Sequence, residues 1–379
     1  MSITVIRYED LTWPEIAQLP RDMPLVLPLG EGYAAADIAG DIGVNTLCVL
    51  PALPYGWRGS VIDVGVELMR CVVGGIFSGP HDDGFTRLIV AHGGEENLNM
   101  LGVHHARVAL ANPPSAPEVK ASSQRVVLIP VGHTEQHGYH LPMNTDTIII
   151  SAIATNTVRT IPDQAEMLPV LPYGVSTHRS EFAGTFNMGG RVFEDFMLAV
   201  IDKLVARGAD RLYLMSGHGG NCSFLVNVVK YSGERYPGIF AATTWLHTSG
   251  RLAAPVVQQY RRSQRGGMGH AGELETAYML HLRPDLCRMD RVVDETDFIS
   301  TDDYYMDWLE GGSLIANPPW SDDTRTGSYG AGSLATAENG QRWLQIAVEE
   351  KVAHVREIHE QQERRIAKRR ELRYQPHLS

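Results

Sequence analysis

Residues 126–146 read VVLIPVGHTEQHGYHLPMNTD. The first six residues of this stretch are an apolar run, which predicts a short strand buried on both faces. The fifteen residues that follow carry histidines, carboxylates and a Pro-containing turn. This change at Gly132 is typical of the carboxyl end of a strand in a parallel sheet, where ligands are bound.

The residues downstream continue the alternation of strand and helix. Apolar residues recur at helical spacing over 193–204, and Gly208 follows as the expected C-cap. LYLM (212–215) then predicts a second strand, which ends at SGHGGN (216–221). Strand–helix–strand alternation implies a mainly parallel sheet covered by helices, so we expect an α/β protein with a three-layer αβα fold.

Three segments of the first half recur, in the same order, in the second half. VLPLG (26–30) matches LIPVG (128–132), LPALPYG (50–56) matches LPVLPYG (168–174), and GFTRLIVAHGG (84–94) matches GADRLYLMSGHGG (208–220). The first copy is 16 residues shorter between the first two matches, where the second carries its acids and histidines. We therefore predict a truncated, structural copy of the fold at 1–112, a linker at 113–125 and a complete catalytic domain at 126–379.

Composition excludes several classes of protein. The chain has 379 residues and a net charge of −11, which argues against nucleic acid as a partner. Its four cysteines form no C-x-x-C pair, which excludes a zinc ribbon and disfavours a disulfide framework. The N-terminal residues do not resemble a signal peptide, and no apolar run of about 18 residues predicts a membrane span. We expect a cytoplasmic protein with no membrane partner.

The first group of chemistry-bearing residues is Glu135, His137 and Asp146. In an extended loop, Glu135 and His137 can point to the same side, and the turn before Asp146 can fold it back towards them. One imidazole and two carboxylates suit Zn²⁺, Mn²⁺ or Fe²⁺. The alternative is a surface pair, since an E-x-H pattern alone is common.

Two further groups lie in glycine-rich segments. SGHGGN presents His218 at the end of a strand, either as a ligand or as the cap of a tight turn. GGMGHAGELETAYML (266–280) predicts a helix that begins near His270 and places Glu273 on the same face, with Glu275 pointing elsewhere. The alternative is a plain helix start, where acids favour the positive end.

Taken together, these motifs resemble the creatininase (creatinine amidohydrolase) family. The resemblance covers about 126–345 and rests on VGHTEQHG…NTD, PYGVS…FAGT, SGHGGN and HAGELET, and it ends in GSYGAGSLATAENG (327–340). It implies two divalent ions per chain (Zn, Mn or Fe), with Asp146 bridging them. Glu135 and His218 would hold one ion and His137 the other. Creatininase itself has a glutamate where this chain has Gly220, and we expect Glu273 to supply the missing ligand.

The resemblance also implies a chemistry. Two ions that share a water molecule lower its pKa from about 15.7 to about 7. We expect His270 to donate the proton that the leaving amine needs, and Glu275 to orient His270 or a metal ligand. The expected function is a metal-dependent amidohydrolase that cleaves a C–N bond of a small cyclic amide or formamide. The alternatives are a metallopeptidase that trims a short or modified peptide and a non-catalytic binding protein.

The segment GVSTHRSEFAGT (174–185) resembles the loop that contacts the substrate in this family. We expect His178, Arg179 and Trp245 to contact the substrate, with Arg179 suited to a carboxylate. The alternatives are a surface position for Arg179 and a core position for Trp245. The resemblance also implies a homo-oligomer.

Overall fold

A computed structural model of the chain describes residues 3–93, 103–108, 124–177 and 181–374. The described residues form two parallel sheets, one in each half of the chain. Most of the predicted linker lies outside the described residues. In the described part of the chain, no helix is both long enough and apolar enough to cross a membrane.

The first half forms a five-stranded parallel sheet. Its strands are β1 (Thr4–Arg7), β2 (Leu25–Pro28), β3 (Thr46–Val49), β4 (Leu88–His92) and β5 (Val103–Arg107), in the order β1-β3-β2-β4-β5. Its helices are α1 (Trp13–Ala17), α2 (Ala35–Asp41) and α3 (Val66–Asp82). One face of β2 packs against α3 and the other against α2, so this sheet lies between two layers of helices.

The second half forms a four-stranded parallel sheet. Its strands are β6 (Val126–Val131), β7 (Ala165–Met167), β8 (Arg211–Ser216) and β9 (Phe240–Thr243), in the order β7-β6-β8-β9. Its helices are α4 (Thr145–Thr160), α5 (Gly190–Ala206), α6 (Gly219–Arg235), α7 (Ala253–Tyr260), α8 (Glu273–Leu282) and α9 (Ala337–Tyr374).

The second sheet is covered by helices on both faces, which confirms the predicted fold class. Val127, Ile129 and Val131 of β6 join the core formed with α5, whereas Val126 and Leu128 pack with α4, α8 and α9. All residues of β6 and β8 are buried, which explains why both strands read as apolar runs.

The strand orders of the two sheets correspond. The order β3-β2-β4-β5 of the first half matches β7-β6-β8-β9 of the second. The equivalent helices α3 and α5 both have 17 residues, both follow a glycine with positive φ (Gly65 and Gly189), and both are followed by another (Gly84 and Gly208). This agreement supports the predicted duplication, which stays a prediction.

The two halves share one hydrophobic core. Helices α3 and α5 pack together, and the ring of Tyr55 stacks on Phe196 of α5 at 5.9 Å between centroids. The hydroxyl of Tyr173, which matches Tyr55 in the repeat, donates a 2.6 Å hydrogen bond to the carbonyl of Pro51. Each half therefore completes the packing of the other at the repeated LPxLPYG segments.

Candidate metal centre

Four of the predicted ligands and the predicted catalytic residue Glu275 converge from four segments at the carboxyl ends of β6 and β8. Glu135 and His137 lie in the loop after β6, and Asp146 lies in the first turn of α4. His218 directly precedes α6, and Glu275 lies in the first turn of α8. The carboxylates at the starts of α4 and α8 face the positive ends of those helices, which is a favourable arrangement.

Two glycines allow the strand ends to touch α4. A Cβ atom on Gly132 would lie 2.4 Å from the hydroxyl of Thr147, and one on Gly217 would lie 2.4 Å from the carbonyl oxygen of Asp146. No side chain fits at either position without a shift of the backbone. This close approach places Asp146 between the loop that follows β6 and the turn that follows β8.

The carboxylate of Asp146 faces two separate groups of side chains. Its Oδ1 lies 3.1 Å from Nε2 of His137. The same Nε2 lies 3.7 Å from Oε2 of Glu275. Oδ2 of Asp146 lies 3.3 Å from Nδ1 of His218, which is 2.9 Å from Oε1 of Glu135. Ligands about 2.0–2.2 Å from a tetrahedral ion lie roughly 3.3–3.6 Å from one another. The distances in the two groups, from 2.9 to 3.7 Å, lie on both sides of this range, so small shifts of the side chains would let each group hold an ion.

Backbone carbonyls set the tautomers of the two histidines. Nδ1 of His137 lies 3.1 Å from the carbonyl oxygen of Glu135, and Nε2 of His218 lies 2.9 Å from that of Val175. A carbonyl only accepts, so these nitrogens carry the protons. When each ring is neutral, its remaining nitrogen has the lone pair on the side of Asp146, as a metal-ligating histidine requires.

The centre concentrates negative charge in the protein interior. Burial opposes protonation of His137, but Asp146, with Glu275 and Glu135, raises its pKa to about 9. Burial likewise opposes protonation of His218, yet Glu135 and Asp146 raise its pKa. Burial also raises the pKa of Glu275, although His137 opposes the shift. Three carboxylates and two imidazoles form a donor set that divalent Zn, Mn or Fe would neutralise.

Glu273 does not lie with these residues, which corrects the expectation that it supplies the fifth ligand. Its carboxylate accepts hydrogen bonds from the backbone N–H groups of Arg262, at 2.9 and 3.0 Å, and Ser263, at 2.7 Å. Residues two positions apart on a helix face different directions, so Glu273 turns to this loop while Glu275 turns to the centre. The backbone N–H of Ala271 holds Glu275 in place at 2.6 Å.

The helix after His270 also starts later than predicted. α8 begins at Glu273, because Ala271 has a φ of 51° and the chain makes a turn there. His270 therefore lies outside the helix. Its Nε2–H donates to the carbonyl of Gln136 at 2.7 Å, and its Nδ1 lies 3.5 Å from Oε1 of Glu135. In the neutral ring that donates to this carbonyl, Nδ1 is the unprotonated nitrogen, and it faces the centre.

Position 220 has no room for a ligand. A Cβ atom on Gly220 would lie 2.3 Å from the carbonyl oxygen of Val175 and 2.4 Å from Nε2 of His218. A side chain there would displace the group that sets the tautomer of His218. Glu275 provides the third carboxylate of the centre, so the centre does not need a carboxylate side chain at position 220.

A cavity of about 800 Å³ opens onto the centre, with Glu135, His218, His270 and Glu275 in its wall. Its other walls are largely aromatic and apolar, formed by Phe224, Trp245, Tyr304, Tyr305, Trp308, Leu314, Ile315 and Trp320. Trp245 is 46% exposed, and its ring lies 6.0 Å from that of Trp308, so it lines the cavity and is no core residue. His178 and Arg179 lie outside the described residues.

Sequence reasoning missed two parts of this site. The segment DDYYMDWLEGGSLIANPPW (302–320) forms one wall of the cavity, and its four aromatic residues were the available signal. His133 was also missed: one of its ring nitrogens lies within 4.8 Å of a carboxylate oxygen of Glu135 and a ring nitrogen of His218. Its place beside the E-x-H pattern was the only hint.

Known proteins resemble the second half of the chain. A family model described as creatinine amidohydrolase matches residues 114–355. The creatinine amidohydrolase of Pseudomonas putida is 34% identical over 185 residues, which cover 46% of this chain and 70% of that protein. The mycofactocin precursor peptide peptidase of Mycobacterium ulcerans is 32% identical over 173 residues, which cover 44% of this chain and 62% of that protein.

The fold has solved counterparts as well. A structure described as "Creatininase Mn" has a TM-score of 0.51 and 27% sequence identity, and it covers 63% of this chain and 92% of that one. The family model spans more than half of the 379 residues and includes all the residues that converge on the candidate centre. The chain therefore belongs to the creatininase family of hydrolases.

Proposed function

We propose that this protein is a metal-dependent amidohydrolase that cleaves a C–N amide bond of a small molecule with activated water. The observation that carries the proposal is the carboxylate of Asp146, whose two oxygens face two different groups of donors. Glu135 and His218 would hold one divalent ion, His137 and Glu275 the other, and Asp146 both. When bound, such ions activate water and polarise the amide carbonyl.

His270 is the candidate for proton transfer. Its Nε2–H is committed to the carbonyl of Gln136, so the neutral ring offers Nδ1 as an acceptor at the cavity wall. A base at this position takes a proton from water and returns it to the leaving amine, which must depart uncharged. The ring of Trp320 packs edge-on against His270 at 5.0 Å and restricts its rotation.

The cavity supports a second candidate function. Pockets of about 300–1,000 Å³ bury drug-sized ligands, and this cavity of about 800 Å³ lies near the upper end of that range. It has room for a substrate larger than a single small ring, and its apolar walls extend to Leu314 and Ile315 at the protein surface. These features favour the alternative of a metallopeptidase that trims a short or modified peptide, as the name of the mycobacterial relative describes for that protein.

A substrate panel distinguishes the two. The full-length protein is loaded with Zn²⁺, Mn²⁺ or Fe²⁺ in turn and offered cyclic amides, formamides and short peptides, with products identified by mass spectrometry. Hydrolysis of the non-peptide amides that disappears in Asp146→Ala supports the amidohydrolase, and hydrolysis of peptides alone supports the alternative. A fully loaded protein that cleaves none of them contradicts both.

A further inference from the structure

His133 lies beside the proposed centre and has no role in the function proposed above. It is fully buried, and its ring stacks on that of His218 with 4.4 Å between centroids and 27° between planes. One of its nitrogens belongs to the same close group as Glu135 and His218. By proximity, His133 is therefore a candidate metal ligand.

The hydrogen bonding of His133 argues against that role. The backbone N–H of Gly174 donates a 2.9 Å hydrogen bond to Nδ1 of His133. A backbone N–H is always a donor, so Nδ1 must be the unprotonated nitrogen of this ring. The neutral imidazole then carries its proton on Nε2, and a protonated nitrogen has no lone pair for a metal ion.

The neighbours of the two nitrogens indicate the side of the ring on which this proton lies. Nδ1 of His133 faces Gly174, and Nε2 of His218 faces the carbonyl of the next residue, Val175. A ring nitrogen of His133 lies within 4.8 Å of a carboxylate oxygen of Glu135 and a ring nitrogen of His218. Nδ1 already accepts from Gly174, which leaves Nε2 as the nitrogen on the side of Glu135. On that side, Nδ1 of His218 lies 2.9 Å from Oε1 of Glu135. The N–H group of His133 therefore lies on the same side of the ring as this carboxylate.

We propose that His133 is a positioning residue: its Nε2–H donates to the carboxylate of Glu135 and orients that ligand, and His133 does not itself bind metal. This inference rests on the proposed function only in taking Glu135 as a ligand. His218 and His133 thus have the same Nε2–H tautomer but turn different nitrogens to the backbone: Nε2–H of His218 donates to the carbonyl of Val175, and Nδ1 of His133 accepts from the N–H of Gly174. One ring is left to bind an ion and the other to donate a hydrogen bond.

Three variants test the proposal through metal affinity, measured by chelator competition. His133→Asn retains an acceptor for Gly174 but lacks the distant donor, and we expect it to weaken the binding of one ion about 10–100-fold. His133→Gln can place an amide N–H near the lost donor, so it should retain affinity within a few-fold. Thr134→Val is the matched control, since it removes a 2.8 Å bond to the carbonyl of Pro172 and no donor to Glu135.

The wild-type protein provides a direct test that does not depend on the variants folding. Long-range ¹H–¹⁵N NMR of histidine-labelled, zinc-loaded protein should show His133 with its proton on Nε2. A metal-bound Nε2, or equal loss of metal in His133→Asn and His133→Gln, would make His133 a ligand and overturn the proposal. Unchanged affinity in His133→Asn would overturn it too. None of these readouts requires turnover, so a protein that binds two ions but hydrolyses no amide refutes only the proposed function.

Discussion

The backbone N–H of Met143, three residues before Asp146, donates a 2.9 Å hydrogen bond to the carbonyl oxygen of Leu11 in the first half of the chain. The carbonyl of Met143 in turn accepts a hydrogen bond from the backbone N–H of Glu135 at 3.0 Å. The backbone N–H of Asn144 donates to the backbone carbonyl of Glu9 at 3.1 Å. Backbone hydrogen bonds from the first half of the chain therefore hold the loop between β6 and α4, which contains Glu135 and His137. These contacts support the predicted structural role of the first half.

The first prediction concerns that support. A shortened chain that begins at Ser122 loses these anchors and exposes the face of α5 that packs on α3. We expect it to aggregate or to change its oligomeric state, because a large apolar surface becomes accessible, and to retain less metal than the full chain. Light scattering and metal analysis measure both. A dispersed fragment with full metal content would show that the first half is dispensable.

The second prediction concerns Asp146. Because its two oxygens face separate donor groups, Asp146→Ala should lose both ions, whereas loss of a ligand from one group should lose one. Elemental analysis of protein purified without chelator should find close to two ions per chain in the wild type. One tightly held ion in Asp146→Ala would argue against bridging.

The third prediction separates Glu275 from Glu273. Glu275→Gln should lose one ion, since its carboxylate lies in the group with His137 and Asp146. Glu273→Gln should keep both ions but lower the free energy of unfolding by about 1–3 kcal/mol, because it weakens the acceptor for the buried N–H groups of Arg262 and Ser263. Metal analysis and urea denaturation of both variants check this. Loss of metal from Glu273→Gln but not from Glu275→Gln would instead support Glu273 as the fifth ligand.

The fourth prediction is the pH dependence of the metal-free protein. His137 has its pKa raised from 6.5 to about 9, so its protonated ring stabilises the folded state. Such a group contributes its full stability below the unfolded pKa and loses it as the pH rises through the folded pKa. The raised pKa of Glu275 acts in the same direction. The melting temperature of chelator-treated protein should therefore fall between about pH 6.5 and pH 9.

Two controls accompany this pH series. In His137→Gln the fall should be smaller, since the titrating imidazole is gone. The affinity of the protein for metal ions should instead increase with pH, because metal ions and protons compete for the same histidine nitrogens. A metal-free protein whose stability rises over this range would contradict the prediction.

The fifth prediction concerns an ion pair in the core. Nζ of Lys351 lies 3.1 Å from Oε1 of Glu350, and each residue is 1% exposed. Oε2 of Glu350 also accepts the N–H groups of Leu252, at 3.0 Å, and Ala253, at 2.9 Å. Glu350→Ala leaves a buried cation and two N–H groups without this acceptor, so it should cost about 3–5 kcal/mol of unfolding free energy.

A double-mutant cycle tests the coupling of this pair. Glu350→Gln with Lys351→Met removes both charges and keeps an acceptor at position 350, so it should cost less than the sum of the single changes. Urea denaturation provides the free energies. Additive effects, or a loss below about 1 kcal/mol in Glu350→Ala, would mean that the pair is not coupled.

Much of the fold could be predicted because it depends on local patterns. VVLIPV (126–131) coincides with β6, LYLM (212–215) lies within β8, and Gly208 follows α5 with a φ of 104°. Buried parallel strands require continuous apolar runs, and a helix C-terminus favours a glycine that can adopt positive φ. These requirements act within a few residues, so they are visible in the sequence.

The site was only partly predictable, because ligand geometry depends on segments far apart in the chain. Sequence motifs alone determined that histidines and carboxylates gather at the ends of β6 and β8, and they indicated Glu135, His137, Asp146 and His218. Only the tertiary structure shows that Glu275, and not Glu273, faces His137 and Asp146. The positive φ of Ala271 shifts the start of α8 by three residues, and the loop at 262–263 takes the carboxylate of Glu273. A side chain's direction follows from where its helix begins and what packs beside it, and neither is written in the spacing of the motif.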